Sequence, residues 1–247
     1  MPDDPHYTSE RPSERPTVSV PRAGKRIGPP RMNLPRRLHA PGFVLLALIW
    51  AAWLWHLPQG GDMREWGISA QALAHGRWDT LLLHMFAHAN ILHIGMNSAV
   101  LAGFAPLLVL TMGGRDVVTG GPLGAAALRF YAFYLLAGLA GALLYVAINP
   151  GGVIPAVGAS GAISGMIGFM SRLDGNGSLL PVTSRALARR IWDFVKANLI
   201  LIAIFAIPFF LGGTGMLIAW EGHLGGFLFG LLFAGFFLPP GHAPRHG

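Results

Sequence analysis

Five long runs of the chain contain no Asp, Glu, Lys or Arg. Each run is solidly apolar rather than alternating, so the pattern favours membrane helices over the strands of a membrane β-barrel. A helix needs roughly 20 apolar residues to cross a bilayer. The third run is long enough for two helices, because the helix-breaking sequence Asn-Pro-Gly-Gly at 149–152 interrupts it. The runs cover residues 38–61, 80–114, 130–171, 197–220 and 222–244.

This pattern predicts an all-α polytopic membrane protein with six transmembrane helices, centred near residues 50, 100, 138, 165, 204 and 230. Composition agrees, because 53% of the 247 residues are hydrophobic and only 12% are charged, with a mean hydropathy of +0.50. No ordinary soluble domain of this length has such a composition. We expect a membrane domain over residues 42–238, an N-terminal tail over residues 1–41 and a short C-terminal tail over residues 239–247.

The N-terminal segment 1–41 differs from the rest of the chain. It holds nine prolines, eight Lys or Arg and four acidic residues, a composition that buries too little apolar surface to offset chain entropy. We predict a disordered, basic, cytoplasmic tail. The segment lacks the apolar core of a cleavable signal peptide, so the first helix is expected to insert uncleaved. Nucleic-acid binding is disfavoured, because Tyr7 is the only aromatic residue among the basic ones.

The basic residues indicate the orientation in the membrane, since cytoplasmic loops are enriched in Lys and Arg. With a cytoplasmic N-terminus, only Arg64 and Arg77 of the 18 Lys and Arg residues lie outside. The net charge of +7 therefore reports orientation in a lipid bilayer rather than a nucleic-acid partner. We expect a multi-pass protein of a bacterial inner membrane.

The chain has no cysteine, so a disulfide framework, a thiol nucleophile and a cysteine metal site are excluded. Any chemistry must use other groups. Polar side chains at membrane depth are costly, which makes them candidates for function. Three clusters of such side chains occur along the apolar runs.

The first cluster comprises His84, His88, His93 and Asn97. His93 and Asn97 are four residues apart, so on a helix they share a face and could aim two hydrogen-bond donors at one point. Two convergent donors in a low-dielectric pocket can stabilise an oxyanion. A metal site is the rival interpretation of the three histidines, but no HExxH pattern and no neighbouring carboxylate accompany them. For His84 and His88 a structural hydrogen-bonding role is favoured.

The second cluster is Gly158-Ala-Ser160-Gly161. It follows the helix-breaking segment 149–155, which should put Ser160 in the first turn of the fourth helix. Gly161 and Gly165 form a GxxxG pattern, whose ordinary role is the close packing of membrane helices. Taken alone, this cluster is explained by packing as well as by chemistry.

The third cluster opens the sixth helix with His223, followed by Gly226 and Gly230. The two glycines again form GxxxG, so this helix can press against a partner with small residues, such as the fourth. That contact would bring His223 to Ser160, where a neutral imidazole could take the serine proton. Glu221 is a poor candidate for orienting the imidazole, because residues two apart point to opposite helix faces.

The motifs HxxxHxxxxHxxxN, GxSG and HxxGxxxG, in this order, resemble the rhomboid family of intramembrane serine proteases over residues from about 42 to 238. The resemblance implies a six-helix core in which Ser160 is the nucleophile and His223 its general base. It also implies that His93, Asn97 and the Ser160 backbone N–H stabilise the oxyanion. No third triad member, no cofactor and no metal are expected.

Two positions depart from the family pattern. Ser164 stands where family members often carry an aromatic residue that stacks on the base. Asp79 follows Trp78 where they often carry an arginine. Neither departure removes a catalytic group, so both concern substrate preference and the way in which the base is held.

The sequence thus predicts a serine endopeptidase that cleaves transmembrane protein substrates in or beside their membrane segments, through an acyl-enzyme intermediate. Gly- or Ala-rich, helix-destabilising substrates are expected, because a stable helix hides its own carbonyl groups. Two alternatives stay open. One is a non-proteolytic binding or quality-control protein on the same scaffold, and the other is a small transporter or metal-handling protein.

Overall fold

The computed structural model describes residues 34–211 and 217–239, apart from the side chains of residues 115 and 208–210. Most of the predicted N-terminal tail and nearly all of the predicted C-terminal tail lie outside these residues. The described residues are mainly helical and include no β-strand, which confirms the predicted all-α class. Among the described residues, helical structure begins with a 3-10 turn at Arg36–His39, inside the segment assigned to the tail, where Leu38 is fully buried.

Eight α-helices lie within the described residues. Their bounds are Ala40–His56 (α1), Ala70–Ala74 (α2), Thr80–Leu83 (α3), Ile91–Val118 (α4), Gly124–Ile148 (α5), Ser160–Ser171 (α6), Arg185–Phe210 (α7) and Trp220–Phe233 (α8). The short helices α2 and α3 belong to the long connection between α1 and α4. A 3-10 turn at Ala234–Phe237 follows α8.

Three described segments are long and apolar enough to cross a membrane, namely Arg36–Gln59, Ile91–Gly114 and Gly124–Ile148. The helices α6 and α8 are shorter, with 12 and 14 residues. At 1.5 Å per residue these helices are roughly 18 and 21 Å long, whereas the hydrocarbon core of a bilayer is about 30 Å thick. Neither helix spans that thickness by itself. The arrangement is consistent with six membrane crossings, and that number stays a prediction.

The central helix is α6, which packs against α4, α5, α7 and α8. Its contact with α8 depends on glycines on both sides. A Cβ atom at Gly226 would overlap the carbonyl oxygen of Gly161, and a Cβ atom at Gly230 would overlap that of Gly165. Small residues let membrane helices approach to backbone contact. The two GxxxG patterns therefore face each other across one helix pair.

Arginine side chains hold the helix ends at one end of the bundle. Arg37 donates a hydrogen bond to the carbonyl oxygen of Val117 in the last turn of α4. Arg190 donates to the carbonyl oxygen of Ser171, the last residue of α6, at 3.0 Å. The last carbonyls of a helix lack intrahelical donors and carry partial negative charge, so a guanidinium group satisfies and stabilises them. These basic residues thus also stabilise the fold.

The peripheral helix is α7, which contacts α8 through the first half of its length. The ring of Phe194 stacks on that of Phe227, with centroids 3.9 Å apart and an interplanar angle of 14°. Further along α7, large apolar side chains point outward, as expected for a surface that faces lipid. More than half of the surface is exposed for Leu199, Ile200, Ile204 and Ile207.

Candidate active site

The first turns of α4 present two hydrogen-bond donors to one point. The Asn90 side chain accepts from the backbone N–H of His93 at 2.9 Å, which caps the helix. The backbone N–H of Ala89 donates to Nδ1 of His93 at 3.5 Å, which favours the tautomer that carries its proton on Nε2. A Cβ atom at Gly158 would lie 2.7 Å from Nε2 of His93 and 3.4 Å from Nδ2 of Asn97. Both predicted oxyanion donors therefore point at the segment that precedes α6.

The amide nitrogen of Asn97 is buried and has no hydrogen-bond partner among the described residues. A buried donor without an acceptor costs free energy, commonly about 1–3 kcal/mol. Such a group fits a site where an acceptor arrives with the substrate.

The segment 149–159 leads into the bundle before α6 and forms hydrogen bonds with the long connection between α1 and α4. The backbone N–H of Gly158 donates to the carbonyl oxygen of His84 at 2.8 Å. Ile68 and Ala156 exchange two backbone hydrogen bonds of 2.9 Å. Gly158 has a φ of +124°, which side chains rarely permit. This local geometry fixes where α6 begins.

Ser160 and His223 meet where α6 and α8 begin. The Ser160 hydroxyl oxygen lies 2.9 Å from Nε2 of His223, although the two residues are 63 positions apart in the sequence. A hydroxyl group that is hydrogen-bonded to an imidazole can act as a nucleophile, with the imidazole as its general base. The first hydrogen bond within α6 runs from Ile163 to Ala159 at 3.0 Å, so the Ser160 backbone N–H has no intrahelical acceptor.

Asn198 on α7 contacts His223 and was not among the residues predicted from the sequence. Its Oδ1 atom lies 2.7 Å from Nδ1 of His223. Its Nδ2 group donates to the backbone carbonyl of Phe194 at 3.0 Å. One signal could have found Asn198, since a lone amide in an apolar membrane segment is itself a candidate for function.

His84 and His88 make local hydrogen bonds with backbone carbonyl groups, and their structural role stays a prediction. Nδ1 of His84 bonds the carbonyl of Thr80 at 2.9 Å, and Nδ1 of His88 bonds that of Phe86 at 3.3 Å. The rings of His88 and His93 have centroids 5.0 Å apart. Within residues 34–211 and 217–239, no three His, Asp or Glu side chains are grouped so that they could hold a metal ion.

Glu221 is directed away from His223, as its spacing predicts. Its carboxylate accepts a hydrogen bond from Nδ2 of Asn149 at 3.1 Å. Ser164 is buried one turn beyond Ser160 on α6, and the hydrogen bond of His223 Nε2 goes to Ser160.

A pocket is lined in part by Ser160 and His223. Most of its lining is glycine or alanine from α5, α6, α8 and the neighbouring loops, with Tyr145 as its largest side chain. Glycines in this lining let backbones pack closely, since a Cβ atom at Gly141 would lie 2.6 Å from the carbonyl oxygen of Gly222.

A family model described as the Rhomboid domain matches residues 75–240, more than half of the chain. The matched segment includes all three polar clusters. No curated protein matches the chain.

Proposed function

The chain belongs to the rhomboid family, which includes intramembrane serine proteases, and from this premise we propose that it is an intramembrane serine endopeptidase. It is an integral membrane protein, and its substrates in this proposal are transmembrane segments of other proteins. The hydrogen bond of 2.9 Å between the Ser160 hydroxyl and Nε2 of His223 is the observation that supports the proposal most directly.

In the acylation step, the Ser160 oxygen attacks the scissile carbonyl carbon while its proton passes to Nε2 of His223. Negative charge develops on the carbonyl oxygen. His93 Nε2–H, Asn97 Nδ2–H and the Ser160 backbone N–H are the donors that stabilise it. The tetrahedral intermediate then collapses, the C–N bond breaks, and His223 gives its proton to the leaving amine. The N-terminal part of the substrate remains as an ester on Ser160.

In the deacylation step, water replaces the amine. His223 takes a proton from water, the water oxygen attacks the ester carbon, and the Ser160 oxygen leaves and recovers the proton from His223. Ser160 starts a helix of roughly 18 Å in a bilayer core of about 30 Å. In this proposal the hydroxyl therefore lies below the outer surface, and water reaches it from that side.

Cleavage of a reporter transmembrane substrate in proteoliposomes tests the proposal. We expect Ser160→Ala and His223→Ala to lose roughly 10⁶-fold in kcat, as removal of either group does in soluble serine proteases. Ser164→Ala is the matched control, because it removes a hydroxyl one turn further along the same buried helix, and it should cleave at the wild-type rate. Equal cleavage by all four proteins would refute the assignment.

A non-proteolytic role is the alternative, since the family also has members without protease activity. That alternative predicts that the wild-type protein binds a transmembrane partner, never cleaves it, and binds equally well as Ser160→Ala.

We also propose that the N-terminus is cytoplasmic and that the chain crosses a bacterial inner membrane six times. The chain has no cysteine, so single cysteines introduced at the exposed positions Glu65 and Asn176 report on one loop each. An impermeant maleimide added to intact spheroplasts should label Glu65→Cys and leave Asn176→Cys unlabelled. The opposite pattern would reverse the orientation.

A further inference from the structure

The two hydrogen bonds of Asn198 determine which way its amide points. Nδ2 can only donate, and it donates to the carbonyl of Phe194 at 3.0 Å. The other end of the amide is therefore the oxygen, which can only accept, and it lies 2.7 Å from Nδ1 of His223. An acceptor at that distance requires a proton on Nδ1.

The proton on Nδ1 decides what Nε2 can do. In a neutral imidazole only one nitrogen carries a proton, so Nε2 keeps its lone pair. That lone pair faces the Ser160 hydroxyl at 2.9 Å. The other tautomer would put a proton on Nε2 and leave no acceptor for the serine proton.

Helix register keeps Asn198 in place. Phe194 and Asn198 are four residues apart on α7, and Phe227 and His223 are four apart on α8, so each pair lies on one helix face. Phe194 stacks on Phe227 with centroids 3.9 Å apart, and Asn198 bonds His223 one turn away. The aromatic stack and the hydrogen bond are thus two neighbouring contacts between α7 and α8.

No other described group supports the ring in this way. The hydrogen bonds of the His223 ring among the described residues go to Asn198 and Ser160 alone. No described aromatic ring stacks on it, and Ser164 of α6 is too small to cover it.

We propose that Asn198 is a positioning residue that holds the His223 ring in the Nδ1–H tautomer and in the orientation needed to receive the Ser160 proton. This inference rests on the proposed protease function. The Asn198 amide bonds the Nδ1 side of the ring, whereas Ser160 bonds the Nε2 side, so Asn198 acts through the imidazole.

Two substitutions that keep the branched arrangement of side-chain heavy atoms separate hydrogen bonding from packing. Asn198→Leu has that branching without an acceptor, whereas Asn198→Asp keeps an acceptor oxygen. We expect Asn198→Leu to lower kcat about 10- to 100-fold with KM changed less than about twofold. Asn198→Asp should recover most of that loss. Leu199→Ala, on the exposed face of the same turn, is the control and should match the wild type.

Nitrogen NMR of ¹⁵N-histidine-labelled protein in liposomes gives a readout that does not depend on turnover. His223→Gln identifies the signals of this ring among the ten histidines. The wild type and Asn198→Asp should show a protonated Nδ1, and Asn198→Leu a mixture of tautomers.

The inference would be overturned if Asn198→Leu had the kcat of the wild type. It would also be overturned if Asn198→Leu and Asn198→Asp lost kcat equally while the nitrogen signals of the His223 ring stayed unchanged. If Ser160→Ala cleaves as well as the wild type, the protease function fails instead, and the ring signals still decide whether Asn198 sets the tautomer.

Discussion

The substitution Gly226→Ala tests whether the contact between α6 and α8 holds the Ser160 hydroxyl and the His223 imidazole together. The added Cβ atom would overlap the carbonyl oxygen of Gly161, a backbone atom that cannot rotate away. Ordinary van der Waals contact begins at 3.4 Å, so α8 has to move away from α6 by about 1 Å or more. The hydrogen bond between Ser160 and His223, 2.9 Å long, would then exceed the range of a good hydrogen bond.

Two magnitudes follow from this displacement. A misplacement of about 1 Å at a catalytic group costs roughly 10²-fold in rate. Overpacking of a tight core costs about 1–3 kcal/mol in the free energy of unfolding. We therefore expect Gly226→Ala to fold, to unfold at a lower temperature, and to cleave a reporter transmembrane substrate about 10²-fold more slowly.

Gly103→Ala is the matched control, because it adds the same methyl group to a helix position with nothing within 4 Å. Alanine is the better helix former by about 1 kcal/mol, so this variant should be as stable as the wild type or more so, at full activity. Labelling of Ser160 by a fluorophosphonate measures the same geometry without a protein substrate. The contrary result is that Gly226→Ala matches the wild type in cleavage, in labelling and in unfolding temperature. That result would refute the idea that the glycine contact sets the distance between the Ser160 hydroxyl and the His223 imidazole.

Three further predictions concern other parts of the molecule. Asn97→Ala should lower kcat by about 10²- to 10³-fold with little change in KM, because it removes one of the proposed oxyanion donors; unchanged kcat would exclude Asn97 from that role. Gly158→Ala should lower activity at least about 10²-fold, because its Cβ atom would lie 2.7 Å from Nε2 of His93 at a strained φ of +124°, while Gly151→Ala, with nothing within 4 Å, should cleave normally. Arg190→Ala should lower the free energy of unfolding by about 1–3 kcal/mol, because carbonyls at the end of α6 lose a charged donor, whereas the exposed Arg189→Ala should change it by less than about 0.5 kcal/mol; equal effects in chemical denaturation would contradict the capping role.

Several features could be predicted from local pattern because they depend on near neighbours in the chain. The lengths of the apolar runs predict a helical membrane protein, and the family match and the described helices confirm that class. The spacing of His93 and Asn97 predicts a shared helix face, and both do point at Gly158. Their catalytic roles, and those of Ser160 and His223, are part of the proposed function.

Contacts between residues far apart in the chain could not be predicted from local pattern. Asn198 is 25 positions from His223, and neither residue carries a local sign of the other. The register between α7 and α8 brings them together, and the stacked pair Phe194 and Phe227 contributes to that register. The position of Ser160 depends likewise on where the segment 149–159 is bonded to the connection between α1 and α4.

The amino-acid sequence by itself determined that this is a membrane protein and which polar groups it carries. The cost of placing charge in lipid acts on each segment separately, so it can be read from each segment alone. The tertiary structure decided which of those groups meet. Helix contacts join residues far apart in the chain, and a hydrogen bond depends on shifts of less than 1 Å between packed helices. For that reason the hydroxyl, the imidazole and the amide of Asn198 form one chain of hydrogen bonds only in the folded bundle.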